Sequence, residues 1–213
     1  MEQMSRTERA ALCNSALEAG QDAPTLCTGW TVKDLVIHLL IRERDPIGAT
    51  AIVVPQLEKL ASRSERRLGE QDFATLVERV RNGPPLWSPM AIPKVDQLLN
   101  SLEYFVHHED IRRASPGWEP RELTDRERRI LFKGAAVAGK RFVKPVGVPV
   151  QIRWTDGERE RDAVLSAGDD PVVVTGEPAE LTMFLFGRHQ HTGLKFEGPQ
   201  DRVEALQAGD LGL

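Results

Sequence analysis

The chain has 213 residues, 40% of them hydrophobic and 28% charged, which is typical of an ordinary globular protein. Its net charge of −4 argues against a general nucleic-acid binder, which needs clustered Lys and Arg to neutralise phosphates. No apolar run approaches the roughly 20 residues that cross a bilayer, and the first residues lack the layout of a signal peptide. We therefore expect a cytoplasmic protein that binds neither nucleic acid nor membrane.

Helices are predicted along the first part of the chain, to about residue 142. Ser5–Leu17 has apolar residues at helical spacing and ends at Gly20. Thr31 and Asp34 stand three residues apart just before an apolar run, as in a capping box, so a helix should begin there. Because residues 35–41 are apolar on nearly every side, this second helix should be deeply buried.

Four more helical segments are predicted before residue 143, at residues 56–68, 73–81, 94–114 and 124–142. Asn82-Gly83-Pro84-Pro85 interrupts the helical pattern after the second of them, and the Pro116–Pro120 stretch does so after the third. The third segment carries an apolar stripe, formed by Leu98, Leu99, Leu102, Phe105 and Val106.

From about residue 145 the pattern changes to short strands. Residues 148–154 and 161–165, joined by a turn at Asp156-Gly157, predict a β-hairpin. Further strands are predicted at residues 171–176 and 193–198, and further helices at residues 177–186 and 203–208. We therefore predict two domains, a helical bundle over residues 1–143 and a small α/β domain over residues 144–213.

Glu103 and His107 are candidate metal ligands on the long helix. They are four residues apart, so both project from one face at the edge of the apolar stripe. A partly buried carboxylate is costly unless it is paired or bound to a cation. The spacing alone also fits a solvent-exposed Glu–His pair, which is common by chance.

His38 is the only polar side chain among residues 35–41. Such a histidine is more often a core residue bonded to a backbone carbonyl than a metal ligand. If the two helices converge, however, His38, Glu103 and His107 supply three ligands and leave open positions for water or substrate, as catalytic metal sites do. The sequence pattern leaves both possibilities open.

Two segments resemble signatures of the DinB-like metalloenzyme superfamily. Residues 25–39 contain a Gly-Trp-Thr loop followed by Asp-Leu-x-x-His, which resembles the segment that supplies the first ligand there. Residues 103–113 resemble the second signature, in which the mycothiol-dependent maleylpyruvate isomerase branch supplies two ligands from Glu-x-x-x-His. The resemblance implies that His38, Glu103 and His107 are the ligands. All-His members carry His in place of Glu103, so the chain resembles the isomerase-like side, and more narrowly an uncharacterised actinobacterial metal-binding subgroup.

The resemblance implies a mainly α fold, a DinB-type four-helix bundle followed by a small α/β domain. Residues 174–181 and 186–188 are similar to the sterol-carrier-like domain often appended in that branch. The implied activity is isomerisation or S-conjugation of a small electrophile by a low-molecular-weight thiol, mycothiol, at one divalent ion. Two His nitrogens and a Glu oxygen suit Zn²⁺, with Ni²⁺, Fe²⁺ and Mn²⁺ still open.

Two other classes of function fit the same ligands. One is a metal-dependent hydrolase, in which the ion activates water instead of a thiol. The other is a non-catalytic protein that binds a metal or a ligand. No Ser–His–Asp framework, phosphate-binding loop or dinucleotide fingerprint appears in the sequence. A monomer and a homodimer are equally compatible with the sequence.

Arg42 is a candidate contact for an anionic substrate or for the carboxylate of a thiol cofactor, because it lies one turn after His38. The sequence favours a surface salt bridge with Glu43 or Asp45 instead.

Other residues near the candidate ligands are given plainer interpretations. Asp110, one turn after His107, is predicted to lie on the helix surface, with orientation of His107 as the alternative. His108 points about 100° away from His107, and a surface or packing position is favoured over a role in the pocket. We interpret Cys13 and Cys27 as reduced packing residues, since their spacing fits no metal or redox motif.

His189-Gln190-His191 is the competing metal candidate. An alternating His pair on a strand can bind metal, but here it lies in a loop flanked by Gly and Arg, without a nearby carboxylate or Cys. A two-ligand fragment of this kind is a weak signal.

Overall fold

The computed structural model describes residues 3–45, 58–92, 100–157 and 159–212. The first residues of two predicted helices, 56–57 and 94–99, lie outside these ranges. The second of these segments includes Leu98 and Leu99 of the predicted apolar stripe. The chain divides into two compact units, residues 1–119 and residues 120–213. This division falls earlier than the predicted boundary between residues 143 and 144, because the helix of residues 125–142 packs on elements of the second unit.

The first unit is helical, and each helix predicted from the sequence is found within the described residues. Its helices are α1 (Met4–Ala19), α2 (Val32–Arg44), α3 (Glu58–Gly69), α4 (Phe73–Arg81) and α5 (Ser101–Arg112). Helix α1 packs against α4 and α5, and α2 packs against α3 and α4. The core between them is apolar and includes Leu12, Leu35, Leu39, Leu76 and Tyr104.

Helix α2 begins where the capping pattern predicts. The Thr31 hydroxyl accepts a hydrogen bond from the Asp34 amide, and the Asp34 carboxylate accepts one from the Thr31 amide. Two of the amide groups that a helix start leaves without partners are thereby satisfied. As predicted, the helix is buried on nearly every side, so His38 sits on a segment fixed both by its cap and by packing.

The second unit combines helices with a four-stranded sheet. Its elements are α6 (Asp125–Phe142), β1 (Val150–Asp156), β2 (Arg159–Ser166), β3 (Val172–Thr175), α7 (Pro178–Leu185), β4 (Lys195–Glu197) and α8 (Gln200–Ala208). The strand order is β2-β1-β3-β4, with β1 parallel to β3 and the other neighbours antiparallel. The predicted hairpin is therefore confirmed as β1 and β2.

The second unit has an apolar core. Alternate residues of β1 and β3 point into it, as the period of two along a strand requires. Ile152, Val172, Val174 and Leu181 are fully buried there, together with Leu185 of α7. The predicted class, a mainly helical chain with a small α/β part at its C-terminal end, is confirmed.

Across the described ranges, no helix combines the length and the apolar character needed to span a bilayer.

Candidate metal site

The side chains of His38, Glu103 and His107 converge between α2 and α5. Glu103 Oε1 lies 3.2 Å from His38 Nε2 and 3.3 Å from His107 Nε2. The ligand atoms of the three residues all lie within 4.8 Å of one another. The two helices therefore converge and bring the three side chains together, which the sequence pattern alone leaves open.

Burial distinguishes this group from an exposed Glu–His pair. The Glu103 side chain is 20% exposed, and those of His38 and His107 are 16% and 10% exposed. The two imidazole rings meet edge to face with their centroids 5.1 Å apart, and the Trp30 ring packs against that of His38, also at 5.1 Å. The rings are therefore held by packing as well as by Glu103.

The loop before α2 links the two ligand-bearing helices. The Thr25 hydroxyl donates to the Trp30 carbonyl at 3.0 Å, which closes the loop, and Gly29 has a φ of 78° that favours glycine. The Leu26 amide donates to the Asp110 carbonyl of α5 at 3.0 Å. The same loop thus fixes the start of α2 and contacts the last turn of α5.

Arg42 keeps the Glu103 carboxyl ionised. Burial by itself would raise the pKa of Glu103, but the Arg42 guanidinium and the hydrogen bonds from His107 and His38 outweigh it and hold the pKa well below its usual range. Arg42 Nε lies 3.5 Å from Glu103 Oε1, and its Nη1 donates to Asn100 Oδ1 at 2.8 Å. The salt bridge with Glu43 or Asp45 that the sequence favours is therefore corrected to a pair with Glu103.

His107 uses both of its ring nitrogens. Nδ1 lies 2.9 Å from Asp110 Oδ2, so its N–H donates a hydrogen bond to the Asp110 carboxylate, while Nε2 lies 3.3 Å from Glu103 Oε1. Burial would lower the pKa of His107, but its hydrogen bonds to Asp110, Cys27 and Glu103 raise it well above the usual value. For His38, burial prevails and lowers the pKa, which favours the neutral form.

The sequence predicts that Asp110 lies on the helix surface. This prediction is wrong, because Asp110 is fully buried. Its carboxylate accepts hydrogen bonds from His107 and, at 3.2 Å, from the Cys27 thiol. The packing interpretation holds for Cys13, which is buried and donates to the Val77 carbonyl. For Cys27 it is incomplete, because this half-buried thiol takes part in the polar group around His107.

His108 faces away from the three candidate ligands, as its position predicts. Its Nδ1 lies 3.1 Å from Glu8 Oε2, and its Nε2 lies 3.0 Å from Ser15 Oγ. The chain of contacts from Ser15 through His108 to Glu8 has the order of a serine nucleophile, a histidine base and an orienting acid. Ser15 lies inside α1, however, where the backbone amides already bond within the helix and cannot form an oxyanion hole. We therefore interpret the relay as a packing contact between α1 and α5.

His189 and His191 lie in the second unit, beside a cavity that Phe184 and Arg188 also line. The ring of His191 packs edge to face on Phe184. Among the described residues, the groups with metal-ligand spacing both include His107, and neither includes these two histidines. The competing candidate thus gains no third ligand.

The donor set of the first unit fits a divalent ion. Two imidazole nitrogens and one carboxylate oxygen are the ligands of many catalytic zinc sites. One nitrogen is oriented by Asp110, and the carboxylate is kept charged by Arg42. Such outer hydrogen bonds are usual around metal-ligating histidines.

The N-terminal part of the chain matches the model of a known protein family. Residues 4–81, which include α1, α2 and His38, match the model of the mycothiol maleylpyruvate isomerase N-terminal domain. The predicted resemblance to the mycothiol-dependent maleylpyruvate isomerase branch is confirmed. Glu103 and His107 lie beyond the matched segment, so their role as candidate ligands is supported by their position next to His38.

Two crystal structures have the same fold as this chain. They are the mycothiol-dependent maleylpyruvate isomerase and a histidine-to-alanine mutant of it, with TM-scores of 0.56 and 0.58. Each is 14% identical to this chain, and the alignments cover 91% of this chain and 90% of theirs. At this identity the likeness establishes the fold alone. None of the curated proteins matches the sequence.

Proposed function

We propose that the protein is a divalent-metal-dependent enzyme that uses a low-molecular-weight thiol, mycothiol, to isomerise or conjugate a small electrophilic substrate. The observation that carries the proposal is the convergence of His38 Nε2 and His107 Nε2 on one oxygen of Glu103. The matched N-terminal domain and the two similar structures support the thiol, because both are described as belonging to mycothiol isomerases.

His38, Glu103 and His107 would hold the ion, with Zn²⁺ as the proposed metal. When bound, a divalent ion lowers the pKa of a coordinated thiol, so that thiolate is available near neutral pH. Neighbouring residues of the protein keep the ligands in the protonation states that suit metal binding. Asp110 holds the Nδ1 proton of His107, and Arg42 keeps Glu103 charged.

The chemistry of the substrate follows from a thiol nucleophile. The sulfur adds to an electrophilic carbon of a conjugated double bond while the thiol proton is lost, and a single bond replaces the double bond. Rotation about that bond, followed by expulsion of the thiolate, gives the isomer. Retention of the sulfur and protonation of the neighbouring carbon give the conjugate. Arg42, whose side chain is 15% exposed, is the proposed contact for an anionic group of the thiol or the substrate.

Metal analysis tests the ligand set. His38→Ala and His107→Ala should each lose at least one equivalent of bound divalent ion relative to the unchanged protein, because two protein ligands hold an ion much less tightly than three. His189→Ala is the matched control and should keep full occupancy. Full occupancy in both ligand variants would contradict the site, and equal loss in His191→Ala would place it in the second unit.

A thiol-dependence assay tests the reaction. Maleylpyruvate is the first substrate to try, and turnover should require both the metal and mycothiol. His38→Ala should abolish turnover without unfolding the chain, which circular dichroism would check. Metal-dependent turnover of the same rate without any thiol would overturn the proposal in favour of a hydrolase that activates water.

A further inference from the structure

A second group of metal-ligating side chains lies on the opposite edge of the His107 ring. It consists of Cys27 from the loop before α2 and of His107 Nδ1 and Asp110 from α5. The Asp110 Oδ2 atom is 2.9 Å from His107 Nδ1 and 3.2 Å from Cys27 Sγ, and the Cys27 thiol also hydrogen-bonds to His107. One sulfur, one nitrogen and one oxygen thus meet within 4.8 Å of one another.

The group is preformed by the fold. Asp110 is fully buried and His107 is 8% exposed. The Leu26 amide, next to Cys27 in the chain, donates to the Asp110 carbonyl at 3.0 Å. The Cys27 carbonyl accepts from the Trp30 amide, also at 3.0 Å. Backbone hydrogen bonds therefore hold Cys27 against α5, and an ion would not have to order a loose loop.

The spacing of the donors is close to that around a tetrahedral ion. Bonds of about 2.3 Å to sulfur and about 2.0 Å to nitrogen or oxygen place neighbouring donors roughly 3.3–3.6 Å apart. The hydrogen-bonded distances of 2.9 and 3.2 Å need to open by only a few tenths of an ångström. A thiolate, an imidazole and a carboxylate together suit thiophilic and borderline ions such as Zn²⁺, Co²⁺ and Cd²⁺.

We propose that Cys27, His107 Nδ1 and Asp110 form a second divalent-metal position, which takes a thiophilic ion. It lies across the imidazole of His107 from the His38–Glu103 site. An ion here replaces two protons, one from Cys27 Sγ and one from His107 Nδ1, and both protons go to solvent. When both positions are filled, the His107 ring bridges the two ions. The proposal does not rest on the activity proposed above.

Cobalt titration of the His38→Ala variant tests this position by itself. The variant loses a ligand of the first site and keeps all three donors of the second. It should bind one equivalent of Co²⁺, with thiolate-to-cobalt charge-transfer absorption in the near ultraviolet. Binding should also release protons, which a pH indicator in weak buffer measures.

Two further variants assign the absorption to one sulfur. Adding Cys27→Ser to His38→Ala should abolish the band, whereas adding Cys13→Ala should leave it unchanged. Cys13 is the matched control because it is buried and its thiol donates to the Val77 carbonyl. Burial also raises the pKa of this thiol to about 12. Absence of the band, or its survival in the Cys27→Ser variant, would overturn the proposal.

The two metal proposals fail in distinguishable ways. If the unchanged protein binds one ion and His38→Ala binds none, the first site stands and the second is wrong. If His38→Ala loses no ion and its absorption depends on Cys27, the second site stands and the first is wrong.

Discussion

The two units of the protein bury different kinds of side chain. Among the described residues, the buried polar and charged groups lie almost entirely in the first unit, whereas Glu180 and Thr182 are those of the second. The second unit instead places its ion pairs at the surface, as between Arg153 and Asp162 on the hairpin. The candidate metal ligands thus lie in the unit that buries more polar side chains, and burying such side chains costs folding free energy.

Buried charges in the first unit are tolerated because they are paired. Glu109 accepts hydrogen bonds from Arg113 and Arg112, and Arg113 also stacks on the Trp118 ring. A buried charge without such partners would be strongly unfavourable. The same logic applies at Glu103, where Arg42 and the two histidines surround the carboxylate.

The largest effect is expected from breaking one of these buried pairs. Glu109 and Arg113 are each 1% exposed, with Arg113 Nε 2.5 Å from Glu109 Oε2. Glu109→Gln should lower the free energy of unfolding by about 3–5 kcal/mol, because it removes one charge of a buried ion pair. Urea unfolding followed by circular dichroism measures the loss.

The matched control for that change lies in the second unit. Arg153 and Asp162 make a pair of 2.8 Å, but their side chains are 30% and 41% exposed. Asp162→Asn should therefore cost about 1 kcal/mol or less. Equal losses for Glu109→Gln and Asp162→Asn would remove the distinction between the two units.

A smaller effect is expected from trimming the apolar core of the second unit. Ile152 on β1 is fully buried. Ile152→Val should lower the free energy of unfolding by roughly 0.5–1.5 kcal/mol, the usual result of deleting one buried methylene. Val164→Ala at a half-exposed position of β2 is the comparison in the same urea experiment, and its loss should be the smaller of the two.

Glu43 should give a change in unfolding free energy that depends on pH. Burial raises the pKa of this carboxyl above its ordinary 4.5, although the Tyr104 hydroxyl donates to Oε1. Oε2 has no hydrogen-bond partner among the described residues. Because the folded pKa is raised, the stability that the protonated acid contributes is full below 4.5 and is lost as pH rises through the raised value.

Glu43→Gln removes this titration while keeping the shape of the side chain. Relative to the unchanged protein, the variant should therefore gain stability as the pH rises from acidic to neutral. The measurement is the difference between the two unfolding free energies across that range. A difference that stays constant with pH would show that Glu43 titrates in the folded protein as it does in the unfolded chain.

Local structure was predictable because its causes are local. The start of α2 depends on Thr31 and Asp34, which are three residues apart, and the sequence shows them directly. The hairpin of β1 and β2 follows in the same way from alternating apolar residues around Asp156-Gly157. The convergence of His38 with Glu103 spans 65 residues, and only the resemblance to a known family indicated it.

The polar environment of the site was not predictable, because α5 does not have the apolar and solvent-exposed faces of an amphipathic helix. Nearly all of its residues are buried, including polar ones, so its hydropathy pattern has no solvent side to display. The sequence therefore predicts surface or packing positions for Asp110 and His108 and does not show their partners. Those partners, Cys27 and Ser15, lie 83 and 93 residues away in the chain.

The loop of residues 25–30 has a consequence for how metal binding would be observed. Its backbone hydrogen bond to the last turn of α5, from the Leu26 amide to the Asp110 carbonyl, is made by the chain itself. We therefore expect folding itself to bring the ligands together. Binding should then leave the circular dichroism spectrum unchanged and appear as a rise in melting temperature with metal concentration, since an ion that binds only the folded chain stabilises it by mass action.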